Sequence, residues 1–189
     1  MTGRDRERWD AKHRALGVGT PLPPDALRGH LDLVPDAGRA LDVACGRGAV
    51  AVWLAGRGLD VVAVDVSPAG LAAGAELATA RQPPGRIRWV EADLDDGFPV
   101  EDGVEDRVDD RVYEVVVCQR FRAPALYPAL SAAVAPGGVL AVSVLSEVGD
   151  TGGRFRAAPG ELARAFAGLE VLAHHEDAGQ AHLLARRPA

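Results

Sequence analysis

From Gly38 onward, short apolar runs rich in β-branched residues alternate with alanine-rich stretches of helical length, and few folds accept that rhythm. The runs are Ala40–Ala44, Val61–Val64, Ile87–Glu91, Val115–Cys118 and Val139–Leu145. Between them, Ala49–Arg57, Pro68–Arg81 and Pro124–Ala135 read as helices. Strands that are apolar on both faces and joined by helical crossovers belong to a parallel sheet covered on both sides. The last part of the chain breaks the rhythm. Pro159–Phe166 reads as a helix with proline in its first turn. Leu169–His174 and Ala181–Ala185 read as two further strands. The short polar EDAGQ stretch between them implies an antiparallel hairpin, because a parallel crossover needs far more chain. The expected class is α/β, with a mostly parallel seven-stranded sheet and an antiparallel C-terminal hairpin strand.

Ahead of this rhythm lie a short helix at Arg6–Leu16, a Gly/Pro-rich break (GVGTPLPP) and a second helix at Asp25–Val34. We read residues 1–38 as a helical cap within the same domain as 39–189, since 189 residues make one domain. Apolar residues at 48% and charged residues at 25% exclude a disordered or fibrous chain. A net charge of −6 argues against a nucleic-acid partner. Cys45 and Cys118 form neither a disulfide framework nor a zinc signature, and they fit a reducing cytoplasm. His174-His175 also lacks metal-ligand spacing, so no metal is expected. The charged N-terminus is not a signal peptide, and no apolar run is long enough to span a membrane. The stretch Asp93–Arg111 holds eight acidic residues between Asp95 and Asp110 and reads as a mobile, solvated loop.

The sharpest local signal is Leu41-Asp42-Val43-Ala44-Cys45-Gly46-Arg47-Gly48, where a strand gives way to a helix. Glycines there let the backbone approach a ligand closely, and the following helix start offers free N–H groups. Gly46-x-Gly48-x-x-Ala51 also matches a dinucleotide fingerprint, which alone is weak. Asp65 ends the second strand, 19 residues after Gly46, where a carboxylate accepts hydrogen bonds from ribose hydroxyls. That placement fits NAD and any other adenosine-containing ligand. Asp42, just before the glycines, suits an ammonium group better than a pyrophosphate. Asp93, after the third strand, is placed to accept from the adenine amino group, with Leu94 packing near the base.

From Ala40 on, the blocks LDVACGRG, VVAVDVS, WVEADL, YEVVVCQR and APGGVLAVSVL resemble the class I S-adenosylmethionine-dependent methyltransferases. The C-terminal helix and hairpin resemble the end of that Rossmann-like three-layer sandwich. The likeness is nearest to small-molecule enzymes of the tellurite-resistance and thiopurine type, whose opening RWDAKHRA resembles. It implies that Asp42 and the loop Ala44, Cys45, Gly46 and Gly48 face the methionine part of the cofactor. Asp65 would hold the ribose, Val66, Asp93 and Leu94 the adenine, and Cys118 and Gln119 would lie beside the methyl group. The product would be S-adenosylhomocysteine. Ala44 stands where the family has its first loop glycine, a change that is comfortable if φ stays negative. CQRF at 118–121 differs from the Asn-Pro-Pro-Tyr type motif of amide and nucleobase N-methyltransferases.

Each of these residues also has a structural role open to it. Asp65 competes with Ser67 as a helix cap, and Ser67 is the better one. Both cysteines read as packing residues rather than nucleophiles. Arg120 and Arg122 follow the fourth strand, where a substrate sits in such folds, and they point to an anionic acceptor. Trp9 is either a packing residue or part of a lid over the substrate. His13, on the same helix, is the one candidate proton acceptor. Two other readings stay open, an NAD(P)-binding oxidoreductase and a non-catalytic scaffold of the same fold. The expected partner is a small-molecule acceptor, with the chain a monomer or homodimer.

Overall fold

A computed structural model describes residues 3–17, 19–98, 112–150, 153 and 155–189. The chain opens with α1 (Gly3–Arg14) and then makes two short 3-10 turns, Asp25–Leu27 and Leu31–Leu33. There follow β1 (Arg39–Val43), α2 (Ala49–Gly56), β2 (Asp60–Asp65), α3 (Pro68–Arg81) and β3 (Ile87–Glu91). Next come β4 (Tyr113–Gln119), α4 (Tyr127–Ala133), β5 (Val134–Leu145), α5 (Glu161–Ala165), β6 (Glu170–Asp177) and β7 (Gln180–Arg186). Most of the acidic stretch expected to be a mobile loop, residues 99–111, lies outside the described residues.

The strands form one seven-stranded sheet in the order β3-β2-β1-β4-β5-β7-β6. The first five pair in parallel, and β7 runs antiparallel to both β5 and β6. Alternate residues of the central strands feed opposite layers. Leu41, Val43, Val62, Val64 and Val116 pack with Leu130 of α4 and Leu162 of α5. Ala40, Val61, Ala63, Val115 and Val117 pack with Leu54 of α2 and with Leu27 and Val34 of the N-terminal segment. Burial on both faces is why these strands read as continuous apolar runs.

Four expectations are corrected here. The helix expected at Asp25–Val34 is two 3-10 turns, because Arg28 is extended and Gly29 takes φ 85°. Leu27 and Val34 are buried all the same, so the segment still packs on the sheet. The helix expected to run to Ala135 stops at Ala133, and β5 starts at Val134 rather than Val139. Gly138 allows this, since a Cβ there would come within 3.0 Å of three backbone carbonyl oxygens. The helix expected from Pro159 begins at Glu161, capped by Gly160 at φ 68°. The hairpin connection is tighter than EDAGQ implied. Only Ala178 (φ 49°) and Gly179 (φ 76°) turn the chain, both in the left-handed region that matches strand twist.

Candidate active site

The carboxyl ends of β1, β2 and β4 open into a cleft of about 350 Å³, roofed by α1. In open α/β sheets this edge is where ligands bind. Its floor is the loop after β1. Ala44 takes φ 56°, so the condition of negative φ under which alanine would be comfortable there is not met. An alanine in this region carries about 1–2 kcal/mol of strain. The loop is pinned on both sides. The Cys45 N–H donates to Val64 O at 3.0 Å, and the Gly46 N–H donates to Asp65 Oδ2 at 2.8 Å. Gly48 caps α2 in the left-handed conformation, and a Cβ there would overlap the Trp89 ring. Gly48 therefore seats the loop against β3 and does not line the cleft.

Two carboxylates lie under this loop. Asp65 takes the Gly46 N–H on one oxygen and the Ser67 N–H, at 2.9 Å, on the other. Ser67 is the cap of α3, accepting from the Gly70 N–H at 3.0 Å. Asp42 is 2% exposed, and its Oδ2 has no hydrogen-bond partner. Burial, reinforced by the neighbouring Asp65 charge, pushes its carboxyl up to about 8. An unpaired buried carboxyl oxygen facing a cleft is poised for a cationic group.

The roof is a polar helix held by polar contacts. Asp10 Oδ1 accepts from the Ser67 hydroxyl at 2.5 Å and from the Ala69 N–H at 3.2 Å. Arg6 pairs with Glu91 at 2.6 Å. The carboxylate of Asp10 thus sits at the start of α3, where the helix dipole favours negative charge. His13 lies over the loop: its ring atoms are 3.5 Å from a Cβ built on Gly46 and 3.2 Å from one built on Gly70. Trp9 stacks on His13 with centroids 5.8 Å apart, and Lys12 Nζ sits 4.4 Å from the Trp9 ring centre. Burial pulls the His13 imidazole below its ordinary range, which keeps it neutral at pH 7.

The wall opposite is the end of β4. Gln119 Oε1 accepts from the Asp25 N–H at 2.7 Å. Arg120 takes φ 59° and stands at the mouth of the cleft, with its side chain 80% exposed. Phe121 completes the wall. Of the other residues expected around this edge, Cys45 and Val66 line the cleft and the rest do not. Cys118 is in the core, its thiol donating to Phe121 O, and burial pushes it up to about 12. Cys45 lines the cleft, but burial holds its thiol well above the usual range, so both sulfurs stay protonated near neutral pH. Arg122 is bound through two nitrogens to Glu161, at 2.8 and 2.7 Å, and Tyr127 also donates to Glu161. That clamp ties the chain after β4 to α5 and uses up the Arg122 charge. Val66 lines the cleft. Asp93 and Leu94 do not: the Asp93 side chain accepts from the Asp95 N–H, and Leu94 is 1% exposed in the core.

Residues 40–138, just over half of the chain, match the model of the methyltransferase domain family. The chain belongs to that family. Among solved structures it is similar to TehB from Haemophilus influenzae, with a TM-score of 0.68 and 18% identity. That likeness covers 86% of this chain and 61% of TehB. It is also similar to the glycopeptide N-methyltransferase MtfA in complex with S-adenosylhomocysteine, at TM-score 0.62 and 16% identity over 95% of this chain and 97% of that one. The fold is therefore that of the class I methyltransferases, tellurite-resistance type included. A curated relative is the ribosomal RNA small subunit methyltransferase C of Alcanivorax borkumensis, 37% identical over 75 residues. The match spans 40% of this chain and only 22% of that relative.

Two features of this methyltransferase domain were not legible in the sequence: the contact of Asp10 with Ser67 and Ala69, and the Glu161 clamp. The Trp9-Asp10 pair was the available signal for the first. Nothing local marks the second, whose partners come from separate elements.

Proposed function

We propose that this chain is an S-adenosylmethionine-dependent methyltransferase that acts on a small molecule. The observation that carries the reading is the unpaired Asp42 oxygen buried at the cleft floor beside a loop in positive φ. The residues present fit the cofactor. Asp42 would pair with its ammonium group, and Ala44, Cys45 and Gly46 would face its methionine part. Asp65 would hold the ribose hydroxyls, and Val66 would line the adenine side. Gly48, Leu94 and Cys118 support these residues from behind. When bound, the cofactor supplies an activated methyl group on a sulfonium.

The chain's own contribution is to align an acceptor and to exclude water. Trp9 and His13 close over the loop, and Gln119, Arg120 and Phe121 bound the space on the β4 side. The His13 imidazole, neutral and above Gly46, acts on the cofactor side of the cleft rather than as a base for the acceptor. Isothermal titration with S-adenosylmethionine and S-adenosylhomocysteine tests the reading. Both should bind a folded sample. No binding of either at millimolar concentration would overturn it.

A further inference from the structure

The β4 side of the cleft presents hydrogen-bond donors. A backbone N–H can only donate, so the Asp25 N–H fixes the Gln119 amide with its oxygen turned toward Asp25. The Gln119 NH₂ is then the end left for the cleft that Gln119 lines. Arg120 stands next to it, and Lys12 reaches the same cleft from the roof. The Asp25 carboxylate bonds Arg28 at 2.8 Å and forms a longer ion pair with Arg120 at 3.8 Å, which leaves the exposed guanidinium room for a second anion. Both carboxylates among the described lining residues, Asp42 and Asp65, come from β1 and β2. His13 is committed to the glycine-loop side. The remaining wall is apolar, from Phe121, Leu16 and Trp9.

We propose that the acceptor is an organic anion, a carboxylate or similar oxyanion on an apolar body, received by Gln119, Arg120 and Lys12. A neutral acceptor that must lose a proton finds no carboxylate among the described residues that line the β4 side, whereas an anion meets three donors. Arg122, the second arginine that pointed to such an acceptor in the sequence, takes no part, since Glu161 holds it. The inference rests on the methyltransferase reading above and adds the acceptor class to it.

The test uses the full chain saturated with S-adenosylhomocysteine, titrated with two matched pairs: benzoate against benzamide, and phenylacetate against phenylacetamide. Each acid should bind roughly tenfold more tightly than its amide, the size of one hydrogen bond to a charged group. K12Q and R120Q should each weaken the acids several-fold and leave the amides unchanged. Q119E is the sharper variant. It keeps an oxygen for the Asp25 N–H but turns the inward donor into a second carboxylate oxygen, so it should abolish the preference for acids. Thermal melts of each variant verify folding. Equal binding of acid and amide, a Q119E protein that still prefers acids, or no acid binding at millimolar concentration would overturn the inference. Failure of S-adenosylhomocysteine itself to bind would instead overturn the methyltransferase reading on which it stands.

Discussion

Asp42 is a cost to the folded protein that a cationic ligand relieves. Its buried carboxyl lacks a partner for one oxygen, and removing a polar group from water without a hydrogen bond costs about 1–3 kcal/mol. Between about pH 4, where an unfolded aspartate ionises, and the folded value of about 8, the native state holds a proton that the unfolded chain has released. Stability attributable to this residue therefore falls as pH rises through that window. Binding of a cofactor ammonium runs the other way, because it selects the ionised carboxylate. Affinity for S-adenosylhomocysteine should rise with pH up to about 8, by at most tenfold per unit, with a proton released on binding. Asp42→Asn should raise the melting temperature at pH 8 and weaken S-adenosylhomocysteine by about tenfold or more, the loss of a hydrogen bond to a charged group. Calorimetry in buffers of different ionisation enthalpy reads the proton directly. A binding curve independent of pH, or an asparagine variant that binds as well, would refute this account. The position of Asp42 before the glycines was legible in the sequence. The φ of Ala44 was not, because an alanine gives no sign that pinning by Val64 and Asp65 will force it into the left-handed region.

At the scale of elements, α1 has little apolar surface of its own, and its place depends on few contacts. Asp10 supplies two of them, to Ser67 and Ala69 at the start of α3. The Ser67 hydrogen bond, opposed by burial and aided by the Ala69 amide, holds the Asp10 carboxyl below its usual range. The latch is thus charged and complete above the ordinary aspartate range, and it weakens only as pH falls through the depressed folded value. Asp10→Ala should cost about tenfold in S-adenosylhomocysteine affinity, because the roof loses the two charged hydrogen bonds that seat it, while the melt of the sheet stays nearly unchanged. Hydrogen exchange over residues 6–14 should lose protection in the same variant. Unaltered exchange there would show that α1 is held by something else. Both partners were visible separately, Ser67 as a cap before Pro68 and Asp10 beside Trp9. Their meeting joins segments far apart in the chain, which local patterns do not encode. The same holds for Arg122, which looked free because Glu161 and Tyr127 lie on other elements. The 3-10 turns at 25–33 differ for another reason: their two buried apolar residues, Ala26 and Leu27, sit too close to the breaks at Pro24 and Gly29 to propagate a helix.

For the whole molecule, the rhythm of strands and helices was enough to predict a parallel sheet closed by an antiparallel hairpin. It did not place β7 between β5 and β6, because pairing order depends on which edge the hairpin reaches. The cover over the cleft is thin among the described residues: α1, Leu16 and the Gln119–Phe121 turn. No helix among the described residues is long and apolar enough to cross a membrane. The curated relative acts on ribosomal RNA, yet this chain matches only 22% of it. Holding an RNA backbone requires several phosphate contacts from arginine or lysine, and non-specific binding then lies near 10⁻⁴–10⁻⁶ M at physiological salt. Here the net charge is −6, Arg122 is bound to Glu161, Arg47 donates to Gly17 O, and the other lining cations, Lys12 and Arg120, flank a cleft sized for a small ligand. Small-subunit ribosomal RNA should therefore show no retardation by the full chain at physiological salt and micromolar protein. Adding S-adenosylhomocysteine should not change that result. A shift that fades as salt rises would reveal a phosphate-binding face, and the acceptor would then have to be sought in RNA rather than among small organic anions.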